Sequence, residues 1–461
     1  MSNKEALIGI SKIIGRIKLT FYSIEEPDKL LEFINNNIKP TTENKKSRGE
    51  VFTPMALVND MLNKLPEEVW TNKNLKWLDP AAGMGNFPIA VYLRLFKSLK
   101  QEIKDDEERR KHILEKMVYM VEIDKYNVFM IKKILCGHKY KLNIFKGSFI
   151  EGEKYPKVYK PDLKFDVIMG NPPYQEKTSS KTYYSIWDKF LLLALNYYLN
   201  NNGLLLFINP SGWRDISGLF LNIKLAIYDK NLLYLEIHNE KDGIKVFNSS
   251  TRYDIIVIKN EIVTKTNTKI VFQDKKEKII DIKKLLFIPN GNFDFIYKLI
   301  AKNNEKKINL LYDSCSYHTQ KKWMSNIKTP IYKYHCVYTV NINNIATFKY
   351  SSIKFIKDIK LKEKKCLNKS IEHFNIPKLI WGNGNTGFFI DKKGDCGLTE
   401  YAYAIIEKNI EKLKLMEKIL KTNQFKRIMN DCSVKKASIN YKVFALFKED
   451  FYKYFLDKPK K

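Results

Sequence analysis

The chain reads as an α/β protein with a mainly parallel sheet and helices on both faces, followed by a basic second region. Three observations carry this. From Gly49 to about Asn260, apolar strand-like runs alternate with helix-like stretches, as expected of parallel strands joined by crossover helices. Two of those runs end in sharp turns bearing Gly or Pro, at residues 77–87 and 166–174. Beyond Ile262 the alternation gives way to short β-like runs rich in aromatics and lysine.

Taken in order, residues 1–40 place Leu7, Ile10, Ile13, Ile14 and Ile17 at helical spacing, and the polar stretch 41–48 reads as a loop. Strands are expected at 76–78, 117–122, 166–169, 203–208, 232–238 and 253–259. Helices are expected between them, including 56–65 and 185–199. Residues 97–111 read as a charged, solvated helix. Late in the chain, 401–420 has the spacing of one long amphipathic helix. The change of pattern sets the expected domains at 1–48, a helical extension, 49–262, and 263–461.

The chain has 461 residues, 44% of them apolar, so a substantial core can form. No uncharged apolar run reaches the ~18 residues of a membrane span, and the N-terminus lacks the pattern of a signal peptide. A cytoplasmic location, or whichever compartment holds the host DNA, is expected. The six cysteines are widely spread and form no CxxC pair. Cys315, His318, His335 and Cys336 are the one zinc-like grouping, but adjacent residues on a strand face opposite ways, so no metal is expected.

Lys and Arg outnumber Asp and Glu by 81 to 51. The excess is uneven. Residues 1–260 carry 40 basic and 31 acidic side chains, and residues 261–461 carry 41 and 20. Compositional drift toward lysine would enrich both halves, so the asymmetry points to a polyanion partner for the second.

Two segments carry chemistry. In Asp79-Pro80-Ala81-Ala82-Gly83-Met84-Gly85-Asn86-Phe87, the glycines permit a tight turn and close approach of backbone to a ligand. No phosphate-binding lysine follows in the P-loop manner. In Gly170-Asn171-Pro172-Pro173-Tyr174, the prolines fix the backbone and remove two donors. The Asn171 side chain and a Pro carbonyl can then act as paired acceptors. A planar amino group offers two donors, and a ring beside it can stack on Tyr174.

Together these segments resemble the amino-methyltransferases. Their order resembles the gamma-class adenine-N6 DNA methyltransferases of type II restriction–modification systems, the NPPY family. The resemblance extends over 49–260. It includes Gly49-Glu50-Val51-Phe52-Thr53-Pro54, Val121-Glu122-Ile123-Asp124, Asn209-Pro210-Ser211-Gly212-Trp213, and Val246-Phe247 with 251–259. It implies a Rossmann-like, mixed but mainly parallel seven-stranded sheet and S-adenosylmethionine as cofactor. Thr53 would then lie at the methionine carboxylate and Glu122 at the ribose hydroxyls. Asp79, Ala81, Gly83, Gly85, Ile123, Ser148, Phe149 and Asn171 would complete the cofactor site, with a core role for Phe149 equally open. Ser148 stands where the family often has Asp, a weaker acceptor toward the cofactor adenine. Asn171, Pro172, Pro173 and Tyr174 would be catalytic, with Tyr174 and Phe247 stacking on an adenine flipped out of the duplex.

The resemblance further implies an α+β target-recognition domain over 263–461. Lys321, Lys322, Trp323, Trp381, Asn383 and Asn385 are its candidate contacts to double-stranded DNA. A monomer is expected, with room for a separate cognate restriction endonuclease. The competing readings are an amino-methyltransferase acting on protein glutamine or RNA, and a DNA-binding module whose catalytic fold has decayed.

Overall fold

The computed structural model describes Ile24 and residues 53–150, 163–177, 183–216, 218, 220–355, 372–384, 387–434 and 439–456. The expected extension over 1–48 lies, apart from Ile24, outside the described residues. The chain divides into two units, Met1–Trp213 with Ser217–Leu285, and Arg214–Ile216 with Leu286–Lys461.

The first unit is organised by runs that are apolar without alternation, such as residues 167–169 and 204–208. A strand covered on both faces needs that composition. The strands are β1 (Trp77–Asp79), β2 (Val118–Glu122), β3 (Asn143–Lys146), β4 (Phe165–Gly170), β5 (Gln175–Lys177), β6 (Tyr183–Ser185), β7 (Leu199–Pro210), β8 (Lys230–His238), β9 (Tyr253–Ile262), β10 (Thr268–Val271) and β11 (Glu277–Ile280). Nine of them form one sheet in the order β11-β10-β8-β9-β7-β4-β1-β2-β3, and β5 and β6 form a separate antiparallel ribbon. The run β3-β2-β1-β4-β7 is parallel throughout. β9 is antiparallel to both its neighbours.

Among the described residues the expected count of seven is therefore corrected to nine. After β9 the chain returns along the free edge of β8, pairs with it in parallel through β10, and adds β11 as a hairpin. For the same reason the sheet does not stop at the expected boundary of 262, and the unit runs to Leu285.

The helices of this unit are α1 (Met55–Leu62), α2 (Glu68–Thr71), α3 (Asn86–Ser98), α4 (Asp106–His112), α5 (Lys125–Ile134), α6 (Trp187–Leu193), α7 (Leu221–Asp229) and α8 (Glu240–Phe247). The charged stretch 97–111 is not one helix. α3 ends at Ser98, and α4 starts afresh where Asp105 accepts from the Glu108 amide at 2.7 Å. The largest core cluster joins α1 and α3 to the inner strands through Met61, Leu62, Ile89, Trp77, Met120 and Val167.

The second unit contains α9 (Phe293–Leu299), β12 (Leu310–Leu311), β13 (Met324–Ser325), β14 (Tyr334–Val340), β15 (Ala346–Ser351), β16 (Lys378–Gly382), β17 (Phe388–Asp391), β18 (Gly397–Leu398), β19 (Ala402–Ile406), α10 (Ile410–Leu420), α11 (Asn423–Asp431) and α12 (Tyr441–Phe444). Two four-stranded sheets result, β12-β19-β16-β17 and β13-β15-β14-β18. The expected helix over 401–420 is two elements. Residues 402–406 form the buried strand β19, and Asn409 caps α10 through the Glu411 amide at 2.9 Å. Among the described residues no helix is long and apolar enough to cross a membrane.

Candidate active site

The carboxyl ends of β1, β2 and β4 lie side by side where the chain order of the sheet reverses, the position at which open α/β sheets bind ligands. β1 delivers Asp79, which is 1% exposed and accepts from the Ala81 amide at 3.0 Å. Burial pushes its carboxyl up to about 8. The Ala81 amide partly offsets this, and the charge of Glu122 adds to it. Gly83 and Gly85 adopt φ of 53° and 93°, the left-handed backbone that the turn into α3 requires.

Glu122 ends β2 with its carboxylate turned back into the fold. It accepts from the Gly83 amide at 2.7 Å and from the Asp124 amide at 2.7 Å. One carboxylate thus ties the glycine turn to the next connection, where Asp124 caps α5 through the Tyr126 amide at 2.8 Å. Asn127 Nδ2 donates to the same carboxylate at 3.5 Å, so Glu122 is held at the end of β2 from α5 as well. Beside it Ile123 is 52% exposed, an apolar face at the edge of the turn.

β4 ends at Gly170. A Cβ there would stand 2.9 Å from Asp79 Oδ1, so only glycine lets this strand end close against β1. The loop that follows begins with Asn171, which is 9% exposed. Its Nδ2 donates to Thr53 Oγ1 at 3.1 Å, and its Oδ1 is buried with no hydrogen-bond partner. A buried acceptor left unpaired costs about 1–3 kcal/mol, so this oxygen is suited to receive a donor from outside the protein. Pro172 is buried, Pro173 half-buried, and the Tyr174 ring is partly exposed with its hydroxyl oxygen buried and unpaired. Burial, with Tyr253 and Asp254 nearby, raises that phenol well above its ordinary value and keeps it neutral. Tyr174 packs against the core cluster that includes Phe247. Phe247, 9% exposed at the end of α8, meets Tyr253 edge-on at 5.0 Å.

Asp79, Ala81, Gly83, Gly85, Glu122, Ile123 and Asn171 therefore occupy strand ends and the connections after them in one unit, and Thr53 lies just ahead of α1. Of the other two expected cofactor residues, Phe149 takes the core role that the sequence left open for it. Phe149 is inside the core at 1% exposure, stacked on Phe190 at 5.5 Å and against Tyr198 at 5.1 Å, because the aromatic faces of α6 and its extension reach it first. Ser148 is half-buried, and its Oγ accepts from the Ile150 amide at 3.3 Å.

Two further groups carry little mark in the sequence. Asn86 donates from Nδ2 to the Thr53 carbonyl at 2.7 Å; it sits inside the glycine motif, where a polar residue at a helix start was the available signal. Asp254, fully buried, accepts from Ser211 Oγ and Trp213 Nε1, each at 2.9 Å. It lies opposite Asn209 on β7, a pairing invisible before the sheet forms.

In the second unit, Lys322 is exposed and Lys321 half-buried, with its ammonium 5.6 Å from the Trp323 ring. Trp323 is half-buried, and its Nε1 donates to the Ser316 carbonyl at 2.9 Å. Trp381 is corrected. It is fully buried between Tyr403 and Phe388 in the unit's core, because β16 is the inner strand of its sheet. Asn383 is exposed beyond that strand, and Asn385 lies outside the described residues. His335 packs on Phe348 and Tyr350 while Cys336 is buried. Among the described residues no three His, Cys, Asp or Glu side chains form a metal-binding group.

An unpaired amide oxygen followed by two prolines thus lies beside an acid-and-glycine turn at the sheet switch point. Residues 88–247 match the model of the Eco57I restriction-modification methylase. The chain is similar to an uncharacterized adenine-specific methylase of Mycoplasma pneumoniae, 27% identical, over 57% of this chain and 81% of that one. It is also 27% identical to the type II methyltransferase M.VspI of a Vibrio species, over 35% of this chain but only 34% of the relative. Among solved structures, a nuclease-deletion mutant of the type ISP restriction-modification enzyme LlaGI, in complex with a DNA substrate mimic, shares the fold. Its TM-score is 0.51 at 13% identity, over 98% of this chain and 58% of that one.

Proposed function

We propose that this protein transfers a methyl group from S-adenosylmethionine to the N6 amino group of an adenine flipped out of double-stranded DNA, at a specific sequence. The observation that carries the reading is the buried, unpaired Asn171 Oδ1 at the carboxyl end of β4. When bound, the cofactor supplies a methyl group already activated on a sulfonium. Asn171 Oδ1 and the Pro172 carbonyl accept the two amino hydrogens, which draws the nitrogen lone pair out of ring conjugation. They are in place before charge develops on that nitrogen. Tyr174 and Phe247 flank the base. Glu122 holds the ribose hydroxyls, and Thr53 lies toward the methionine end. The uneven basic charge supports target recognition by residues beyond the catalytic unit, with Lys321, Lys322, Trp323 and Asn383 as candidate contacts. The adenine-specific methylase of Mycoplasma pneumoniae supports the choice of base.

The test is incubation of the full chain with unmethylated genomic DNA and S-adenosylmethionine, followed by nucleoside mass spectrometry and single-molecule sequencing. N6-methyladenine at one recurring sequence is expected. Asn171→Ala should abolish transfer while DNA binding persists. Bound cofactor without any methylated base would overturn the reading in favour of a glutamine or RNA substrate.

A further inference from the structure

Asn171 can serve as an acceptor only if its amide presents Oδ1 to the substrate. An asparagine side chain is nearly symmetric in shape, and a half-turn about its last bond would present two donors instead. A threonine hydroxyl can accept or donate, so it fixes where the amide sits, and the substrate's amino group, which brings donors, favours the orientation that turns Oδ1 toward it. Among the described residues, Thr53 Oγ1 is the group that Asn171 Nδ2 reaches, at 3.1 Å, while Oδ1 has no partner. Both side chains are more than nine-tenths buried, so water cannot readily replace the bond. Thr53 itself is anchored. Its carbonyl accepts from Asn86 Nδ2 at 2.7 Å, and Asn86 is the first residue of α3, directly after Gly85 of the glycine turn.

We infer that Thr53 is a positioning residue for catalysis. Its hydroxyl takes the amide hydrogen of Asn171 and so holds Oδ1 toward the amino group to be methylated. Asn86 holds Thr53 in place to do so, which links the glycine turn to the amide through two hydrogen bonds. This rests on the methyl-transfer reading above, and it gives Thr53 a task separate from any contact with cofactor. Thr53→Val keeps the shape and removes the hydroxyl. Thr53→Ser keeps the hydroxyl.

The test measures two quantities for wild type and both variants. One is the dissociation constant for S-adenosylmethionine by calorimetry. The other is the single-turnover rate of methyl transfer to DNA at saturating cofactor and DNA. A misdirected acceptor should lower the saturated rate of Thr53→Val about 10- to 100-fold, while Thr53→Ser stays within about threefold of wild type, as expected when the acceptor that sets the geometry is preserved. Two results would overturn the inference: a Thr53→Val defect confined to cofactor affinity with a normal saturated rate, or an equal loss of rate in Thr53→Ser. Wild-type protein that methylates no DNA would instead refute the proposed function itself.

Discussion

Asp79→Asn should remove a pH-dependent weakness from the cofactor-free protein. Asp79 is 1% exposed, and burial holds its carboxyl at about 8 in the folded chain, against an ordinary 3.8. A carboxyl whose pKa is raised by folding binds its proton more tightly in the folded state. Its contribution is fully present below about pH 4 and is lost as pH rises toward 8. The slope is about 1.4 kcal/mol per pH unit while the folded group is protonated and the unfolded one is not. From about pH 5 to about pH 8 the loss sums to about 4 kcal/mol. Asparagine keeps an acceptor for the Ala81 amide but carries no such slope. Urea unfolding of both proteins at four pH values across this range gives the difference in stability, in which all other titrating groups cancel. Wild type should lose about 4 kcal/mol relative to the variant across the series. A difference that stays flat to within about 1 kcal/mol would refute the claim that this carboxyl is held protonated by burial.

Gly170→Ala should destabilise the catalytic unit by about 1–3 kcal/mol, because the added Cβ stands 2.9 Å from Asp79 Oδ1 and neither strand end can retreat freely; thermal unfolding measures it, and an unchanged midpoint would count against the close approach. Tyr174→Phe removes a buried hydroxyl that has no partner, so stability should rise by about 1 kcal/mol with the transfer rate unchanged. A large loss of rate in that variant would mean the hydroxyl, and not only the ring, meets the substrate. Trp381→Ala should cost the second unit about 3–5 kcal/mol by opening its core; denaturant unfolding reads this, and a stable variant with altered DNA preference would restore Trp381 as a contact.

Much of the catalytic unit was legible because its signals are local. A turn such as 79–87 needs particular residues at consecutive positions, and a strand buried on both faces needs a continuous apolar run. β1, β2, β4, β7 and β9 show in the sequence for that reason, while β8 is half-buried along much of its length. β3 does not show. Its residues Asn143–Lys146 are partly exposed at the sheet edge, so no apolar run marks them. β10 and β11 are short, and they join the sheet through pairing with a distant strand. The tail misled in a similar way. Ala402–Ile406 satisfies a helical spacing, but its buried cross-strand partners on β16 decide for a strand.

By itself the sequence determined the class of chemistry. The Asp-Pro-Ala-Ala-Gly and Asn-Pro-Pro-Tyr segments specify backbone geometry residue by residue, and the net charge of each region is set by composition alone. Only the tertiary structure decided which side chains are available to act. Trp381 looks like a contact residue in the sequence, yet packing against Tyr403 removes it from the surface. Asn171, Thr53 and Asn86 are far apart along the chain, and their hydrogen bonds exist only once β4 has paired with β1 and α3 has docked. Burial and long-range pairing are properties of the folded neighbourhood, and no local pattern encodes them.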